Sequence, residues 1–286
     1  MGYNLANHPK ERTNAPQQEY SPAKAALMCR LAAYLGPARP LSDIIISPSH
    51  SLLAQSQDAL EAKLAVNGDG FGIAWYSERP EPGLYKDVLP AWSDSNLLSL
   101  CQHITSPLFL AHVRASTEGE VARTNCHPFN HGSWSFMHNG QIGSFYALRR
   151  ALEATLCDDI YRLRRGSTDS ELLFLLLLNA GLEDAPENAC RDMITLLKQT
   201  AKTLGVRPFF RQTCVFTDGK RIYCFRYASD DRCPTLYMSR TFVAGGLVIA
   251  SEPLDGNSAA WKEIIPNQLL CFDTLTEHSF GNLLAA

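Results

Sequence analysis

The sequence predicts a layered α+β sandwich in a single domain, and three observations carry that prediction. Short apolar runs of strand length occupy both ends of the chain, and helix-length segments occupy its middle. One of those segments contains Leu172-Leu173-Phe174-Leu175-Leu176-Leu177-Leu178, apolar on every face, so this helix must be covered on all sides by other layers.

The strand-like runs fall at 29–35, 71–76, 109–113, 134–138, 213–216, 221–227, 247–250 and 269–272. In Phe71-Gly72-Ile73-Ala74-Trp75 bulky and small side chains alternate, the period of a strand with one face on a core. Asp218-Gly219 between two runs signals a hairpin, because a tight two-residue turn needs positive φ. Helices are expected at about 144–155, 169–180 and 188–204. Thr168-Asp169-Ser170-Glu171 has the form of a capping box, with Thr168 as N-cap and Glu171 reaching back to it.

Composition narrows the function classes. With 286 residues and a net charge of -3, the chain can bury a substantial core and lacks the basic excess of a nucleic-acid binder. The leucine run is far shorter than the ~20 residues that cross a bilayer, so no membrane association is expected. Nine cysteines, an odd number without a C-x-x-C pair, fit a reducing cytoplasm better than a disulfide framework or a zinc ribbon. Residues 1–28 carry little apolar periodicity and read as a disordered leader or a mis-assigned start, with the domain running from 29 to 286.

Five residues are candidates for chemistry. Cys29 follows Met28, and synthesis beginning at Met28 would leave Cys29 terminal once the methionine is removed. A thiol and an α-amine that titrates near neutrality would then share one carbon, a nucleophile beside its own base. The competing reading is a small buried core residue. Arg114 ends the run Phe109-Leu110-Ala111-His112-Val113, where a guanidinium can clamp a carboxylate through two parallel hydrogen bonds or serve in a surface salt bridge. Asn139-Gly140 ends another strand and offers two N–H donors suited to an oxyanion, or simply a turn. Asp169, in the first turn of its helix, could receive an ammonium or only stabilise the helix end.

In order, the chain reads Met28-Cys29-Arg30, Asn67-Gly68-Asp69-Gly70-Phe71-Gly72, Ala111-His112-Val113-Arg114 with Thr117 three residues on, Cys126-His127-Pro128-Phe129, His138-Asn139-Gly140 and Ser167-Thr168-Asp169-Ser170-Glu171. This series resembles the class II, N-terminal-nucleophile glutamine amidotransferases over residues 29 to 275. It is most similar to short stand-alone members, the YafJ type and the γ-glutamyl amidohydrolases of ergothioneine synthesis. Val248-Ile249-Ala250-Ser251-Glu252-Pro253-Leu254 followed by Trp261 resembles that subgroup too. The resemblance implies a four-layer αββα sandwich, no cofactor and no metal. It implies that Cys29 attacks the γ-carbonyl of glutamine or a γ-glutamyl compound, and that Asn139 and the Gly140 N–H hold the oxyanion. Arg114 and Thr117 would bind the α-carboxylate and Asp169 the α-ammonium.

Larger members that feed ammonia to a synthase carry a tryptophan and a histidine where this chain has Ala115 and Glu118, and an arginine where it has Asn67. Glu118 beside a carboxylate-binding loop is expected to face solvent. The small Ala115 favours a free-standing hydrolase with room beyond the amide nitrogen over a subunit passing ammonia to a separate synthase. Two other classes compete: a non-catalytic binding protein on the same fold, and a metal-dependent hydrolase using His112, His127, His131 and His138. Pro128 and Gly132 disfavour a helix that would present His127 and His131 together.

Overall fold

The structure, a computed structural model, describes residues 29–58, 66–115, 120–230, 232–274 and 276–283. The elements in chain order are β1 (Arg30–Pro40), α1 (Ser42–Ile45), α2 (Leu52–Gln57), β2 (Phe71–Tyr76), β3 (Gly83–Asp87), α3 (Ser95–His103), β4 (Thr105–Val113), β5 (Phe129–His131) and β6 (Trp134–Ile142). They continue with α4 (Phe145–Glu153), α5 (Asp158–Tyr161), α6 (Asp169–Asn179), α7 (Pro186–Thr203), β7 (Phe210–Thr217), β8 (Ile222–Ala228), β9 (Tyr237–Ser239), β10 (Leu247–Ala250), β11 (Lys262–Glu263), β12 (Gln268–Phe272) and β13 (Glu277–Asn282).

The strands form two antiparallel sheets. Sheet A has seven strands in the order β11-β9-β10-β1-β4-β2-β3, and sheet B six in the order β13-β12-β8-β7-β6-β5. Because successive side chains of a strand point to opposite faces, each central strand feeds two cores. On β1, Leu31, Ala33 and Leu35 face sheet B, where they meet Met137, Val215 and Cys224. Ala32 and Tyr34 face the other way, toward Ile44, Leu52 and Leu97 of α1, α2 and α3. On sheet B, Phe136, Phe216 and Phe225 turn outward onto α4, α6 and α7. Helices, two sheets and helices thus make the four layers that the resemblance implied.

The buried helix behaves as its sequence requires: every residue of α6 from Ser170 to Leu178 is buried. Phe174 stacks on Phe136 of β6, with ring centroids 5.5 Å apart and planes 10° apart. Aromatic pairs of this kind contribute about 0.5–1.5 kcal/mol beyond their area. The helices of the middle segment come out at the expected places.

Several local readings change. Helices do not belong to the middle of the chain alone, since α1, α2 and α3 lie among the early strands and cover sheet A. They are short, so too few residues repeat to mark a helical face. β1 begins at Arg30, leaving Cys29 just outside it, and runs on to Pro40 through an irregularity between Leu35 and Arg39. The hairpin at Asp218-Gly219 joins β7 to β8, but its loop has four residues. Asp218 Oδ1 accepts from Lys220 and Arg221 N–H at 2.9 and 2.7 Å, and only Gly219 of the loop has positive φ. The capping box is half formed: Thr168 Oγ1 accepts from Glu171 N–H at 3.2 Å. The Glu171 carboxylate reaches further back, to the N–H groups of Arg165 and Gly166 at 2.7 and 2.8 Å. Among the described residues, no helix is long and apolar enough to cross a membrane.

Candidate active site

Strand pairing gathers the motifs at one end of the sandwich. Arg30 at the start of β1 pairs with Val113 at the end of β4, and Val113 also pairs with Phe71 at the start of β2. Cys29 and Arg114 are the next residues along their strands, so antiparallel register alone makes them neighbours. The Ala115 N–H donates to Cys29 Sγ at 3.4 Å, and the thiol donates to the Ala115 carbonyl at 3.5 Å. Burial pushes the Cys29 thiol above the ordinary cysteine range, while the Ala115 main chain and the charges of Arg114 and Arg30 act to lower it and Asp169 to raise it. A half-buried thiol so placed is protonated at neutral pH and must lose that proton before it can attack. Among the described residues, no imidazole or carboxylate hydrogen-bonds to its sulfur.

Arg114 is buried, and its main chain is tied to the motif at 67–72: its N–H donates to Gly70 O at 2.8 Å, and its carbonyl accepts from Asp69 N–H at 3.0 Å. Its Nη1 donates to Glu120 O at 3.4 Å. The glycines of that motif allow close approach. A Cβ on Gly72 would stand 2.1 Å from the His127 carbonyl oxygen, so the strand carrying 71–76 could not pack under the Cys126-His127-Pro128 segment with any larger residue. Asn67 is buried, its amide donating to Gln55 O at 3.4 Å, which is a packing role rather than a ligand-facing one. Thr117 and Glu118 lie outside the described residues, as do residues 1–28.

Asn139 and Gly140 stand on β6, at the end away from β5. Asn139 is buried, and Gly140 adopts φ +133°. A Cβ at Gly140 would lie 2.0 Å from Arg211 O and 2.7 Å from His138 Nε2, so the residue must be glycine for the strand to pass β7 here. Asn139 Nδ2 donates to Ser251 Oγ at 2.8 Å, and the same oxygen accepts from Leu31 N–H at 2.9 Å. Asp169 opens α6. Its Oδ2 accepts from Ile142 N–H at 2.8 Å and its Oδ1 from Ser170 N–H at 2.8 Å, which fixes the carboxylate between β6 and the helix N-terminus.

The four histidines do not converge. His112 and His127 stack at 4.1 Å between centroids, both buried, with the Asn139 side chain and the His138 main chain beside the His112 ring. His138 lies on the other face of β6, with Nδ1 2.9 Å from Ser170 Oγ, and His131 ends the short β5. Among the described residues, no group of three or more His, Cys, Asp or Glu side chains is placed to hold a metal. Burial, helped by Arg114, pushes His112 down to about 3, so this ring is neutral.

Reading residues one at a time missed the side chains that tie these motifs together. Arg30, Ser251 and Glu252 are all buried, and Arg30 pairs with Glu252 at 2.6 Å. The signal available was a Ser-Glu pair directly after the apolar run 247–250, which by composition alone reads as loop.

Two antiparallel sheets between helical layers, with a cysteine, an arginine, an Asn-Gly pair and an aspartate at one end, define the class II glutamine amidotransferase class. The family model "Glutamine amidotransferases class-II" matches residues 41–241. The chain belongs to that family and is a C–N hydrolase acting on a γ-amide. It is 33% identical to "Probable glutamine amidotransferase DUG3" of Saccharomyces cerevisiae, over 85% of this chain and 81% of that protein. It is 26% identical to the gamma-glutamyl-hercynylcysteine sulfoxide hydrolase of Mycolicibacterium smegmatis, over 85% of this chain and 95% of that one. Among solved structures, a glutamine aminotransferase class-II domain protein from Silicibacter pomeroyi superposes with a TM-score of 0.71 at 37% identity, covering 90% of this chain and 100% of that chain.

Proposed function

We propose that this chain is a free-standing hydrolase of γ-glutamyl amides, with Cys29 as nucleophile and the α-amine of Cys29 as general base. The Cys29 proton passes to that amine, directly or through one water, and the thiolate attacks the γ-carbonyl carbon. The resulting oxyanion takes hydrogen bonds from Asn139 Nδ2 and Gly140 N–H. The C–N bond then breaks, the ammonium returns its proton to the departing amine, and a thioester to glutamate remains. Water, deprotonated by the same amine, attacks the thioester and releases glutamate and the free thiol. Arg114, with Thr117, holds the substrate α-carboxylate, and Asp169 its α-ammonium.

The observation that carries this reading is the surroundings of Cys29 Sγ: a main-chain N–H at 3.4 Å, the opposed charges of Arg114 and Asp169 acting on it, and, among the described residues, no imidazole bonded to it. His138 is poorly suited as a substitute base, because burial lowers its basicity and its ring is engaged with Ser170. The γ-glutamyl preference rests on the small, buried Ala115 beside the thiol and on the name of the mycobacterial relative. The yeast relative's name supports the second reading, in which glutamine is the substrate and ammonia passes to a separate synthase.

Turnover of γ-glutamyl p-nitroanilide against glutamine separates the two. A higher kcat/KM for the anilide is expected, and a higher value for glutamine would favour the ammonia-supplying reading. Cys29→Ala should abolish both reactions while leaving the circular dichroism spectrum unchanged.

A further inference from the structure

Ser251 and Glu252 follow β10 at the point where the two sheets meet beside the candidate site, and each is 1% exposed. Ser251 is bonded twice to β1: its N–H donates to Leu31 O at 3.0 Å, and its Oγ accepts from Leu31 N–H at 2.9 Å. The same Oγ accepts from Asn139 Nδ2 at 2.8 Å. Sheet A carries the strand that follows Cys29 and sheet B carries Asn139, and ladder hydrogen bonds do not run between stacked sheets. One hydroxyl therefore links the strand leading from the nucleophile to the side chain of the oxyanion donor. Glu252 serves the other half: its Oε1 pairs with Arg30 Nη2 at 2.6 Å, and Arg30 Nη1 donates to the Cys29 carbonyl at 3.1 Å. His50 Nε2, 2.8 Å from Glu252 Oε2, backs the carboxylate from behind.

We propose that the Ser251–Glu252 corner is a pair of positioning residues, Ser251 setting the Asn139 amide and Glu252, through Arg30, setting Cys29; this rests on the roles given to Cys29 and Asn139 above. A terminal amide rotates in a broad torsional well, so its N–H direction must be set from outside. The bond to Ser251, with the His112 ring beside the same amide, fixes that rotation. An NH2 group has two hydrogens. One is held by Ser251, and the second is left to point at the oxyanion. Cys29 has a matching need, because a terminal residue has no preceding peptide to anchor it. Arg30 holds its carbonyl, and the buried Glu252 holds Arg30.

The test is a double-mutant cycle on the mature enzyme, with γ-glutamyl p-nitroanilide and glutamine as substrates. Ser251→Ala should lower kcat on the order of 10²-fold, as misplacement of a reacting group does, with KM changed little. In an Asn139→Ala background the same substitution should cost less than about threefold, since the group it positions is gone. Ser251→Thr, which keeps the oxygen, should restore most of kcat; if Ser251→Ala does not fold, Ser251→Cys, with its weakly accepting sulfur, takes its place in the cycle. Equal losses in both backgrounds would assign Ser251 a purely structural role and overturn its half. Glu252→Gln should lower kcat and slow alkylation of Cys29 by a diazoketone analogue of glutamine to the same degree, and unchanged alkylation would overturn the other half. A Cys29→Ala enzyme that still turns over would refute the underlying assignment instead, so the two failures are distinct.

Discussion

At the scale of single residues the chemistry turns on where the Cys29 proton goes. Burial raises the thiol, so the thiolate must be made by a base at the moment of attack. With an α-amine in that role, kcat/KM should be low at acid pH, where the amine is an ammonium, and rise to a plateau above about pH 8. A pH profile flat from 6 to 9 would contradict it. Asn139→Ala should lower turnover by about 10²–10³-fold, the usual cost of one oxyanion donor, and kcat measured at saturating substrate checks it. Arg114→Lys keeps the charge but loses the two-pronged geometry. It should raise KM for substrates with a free α-carboxylate and leave an amide lacking that group unaffected, and equal effects on both would refute the clamp.

At the scale of elements, the stacked His112–His127 pair joins β4 to the segment before β5 and gives the fold a pH dependence. Both rings are held neutral, His112 at about 3 and His127 well below its ordinary value, because burial disfavours their charged forms. In the unfolded chain they take up protons below about pH 6.5. The stabilisation from keeping them neutral is therefore complete above that pH and is lost as pH falls toward 3. The urea midpoint should be lower at pH 5 than at pH 7, and the difference should shrink in His112→Gln; identical midpoints would contradict the assignment. At the start of α6, Thr168→Ala should cost about 1 kcal/mol through the lost cap, read from the same denaturation curves. These elements also mark how far sequence could be read. The buried α6 and the alternating β2 were legible because burial on all sides and burial on one side leave distinct patterns. β13 was not, because all six of its residues are exposed and nothing alternates. Cys29, Arg114, Asn139, Gly140 and Asp169 could be singled out because their types suit one chemistry in that order. The Ser251–Asn139 contact is made across the sheets and the Glu252–Arg30 contact between neighbouring strands of sheet A, each over more than 100 residues of sequence, and no local pattern encodes such a meeting.

At the scale of the whole molecule, the sandwich brings the strand that follows Cys29 into the interior of sheet A and leaves Cys29 itself at the strand's mouth. A peptide bond to Met28 would convert the proposed base into an amide nitrogen, whose lone pair is delocalised into the carbonyl. We therefore expect the active species to begin at Cys29, through synthesis from Met28 or removal of the preceding residues. The most direct measurement compares two preparations verified by intact mass, one with Cys29 at the amino terminus and one still carrying residues 1–28. Each is assayed for γ-glutamyl amide hydrolysis and for labelling of Cys29 by a diazoketone analogue of glutamine. The prediction is that the first turns over and is labelled while the second does neither. Equal turnover and labelling by the uncleaved protein would contradict the amine as base.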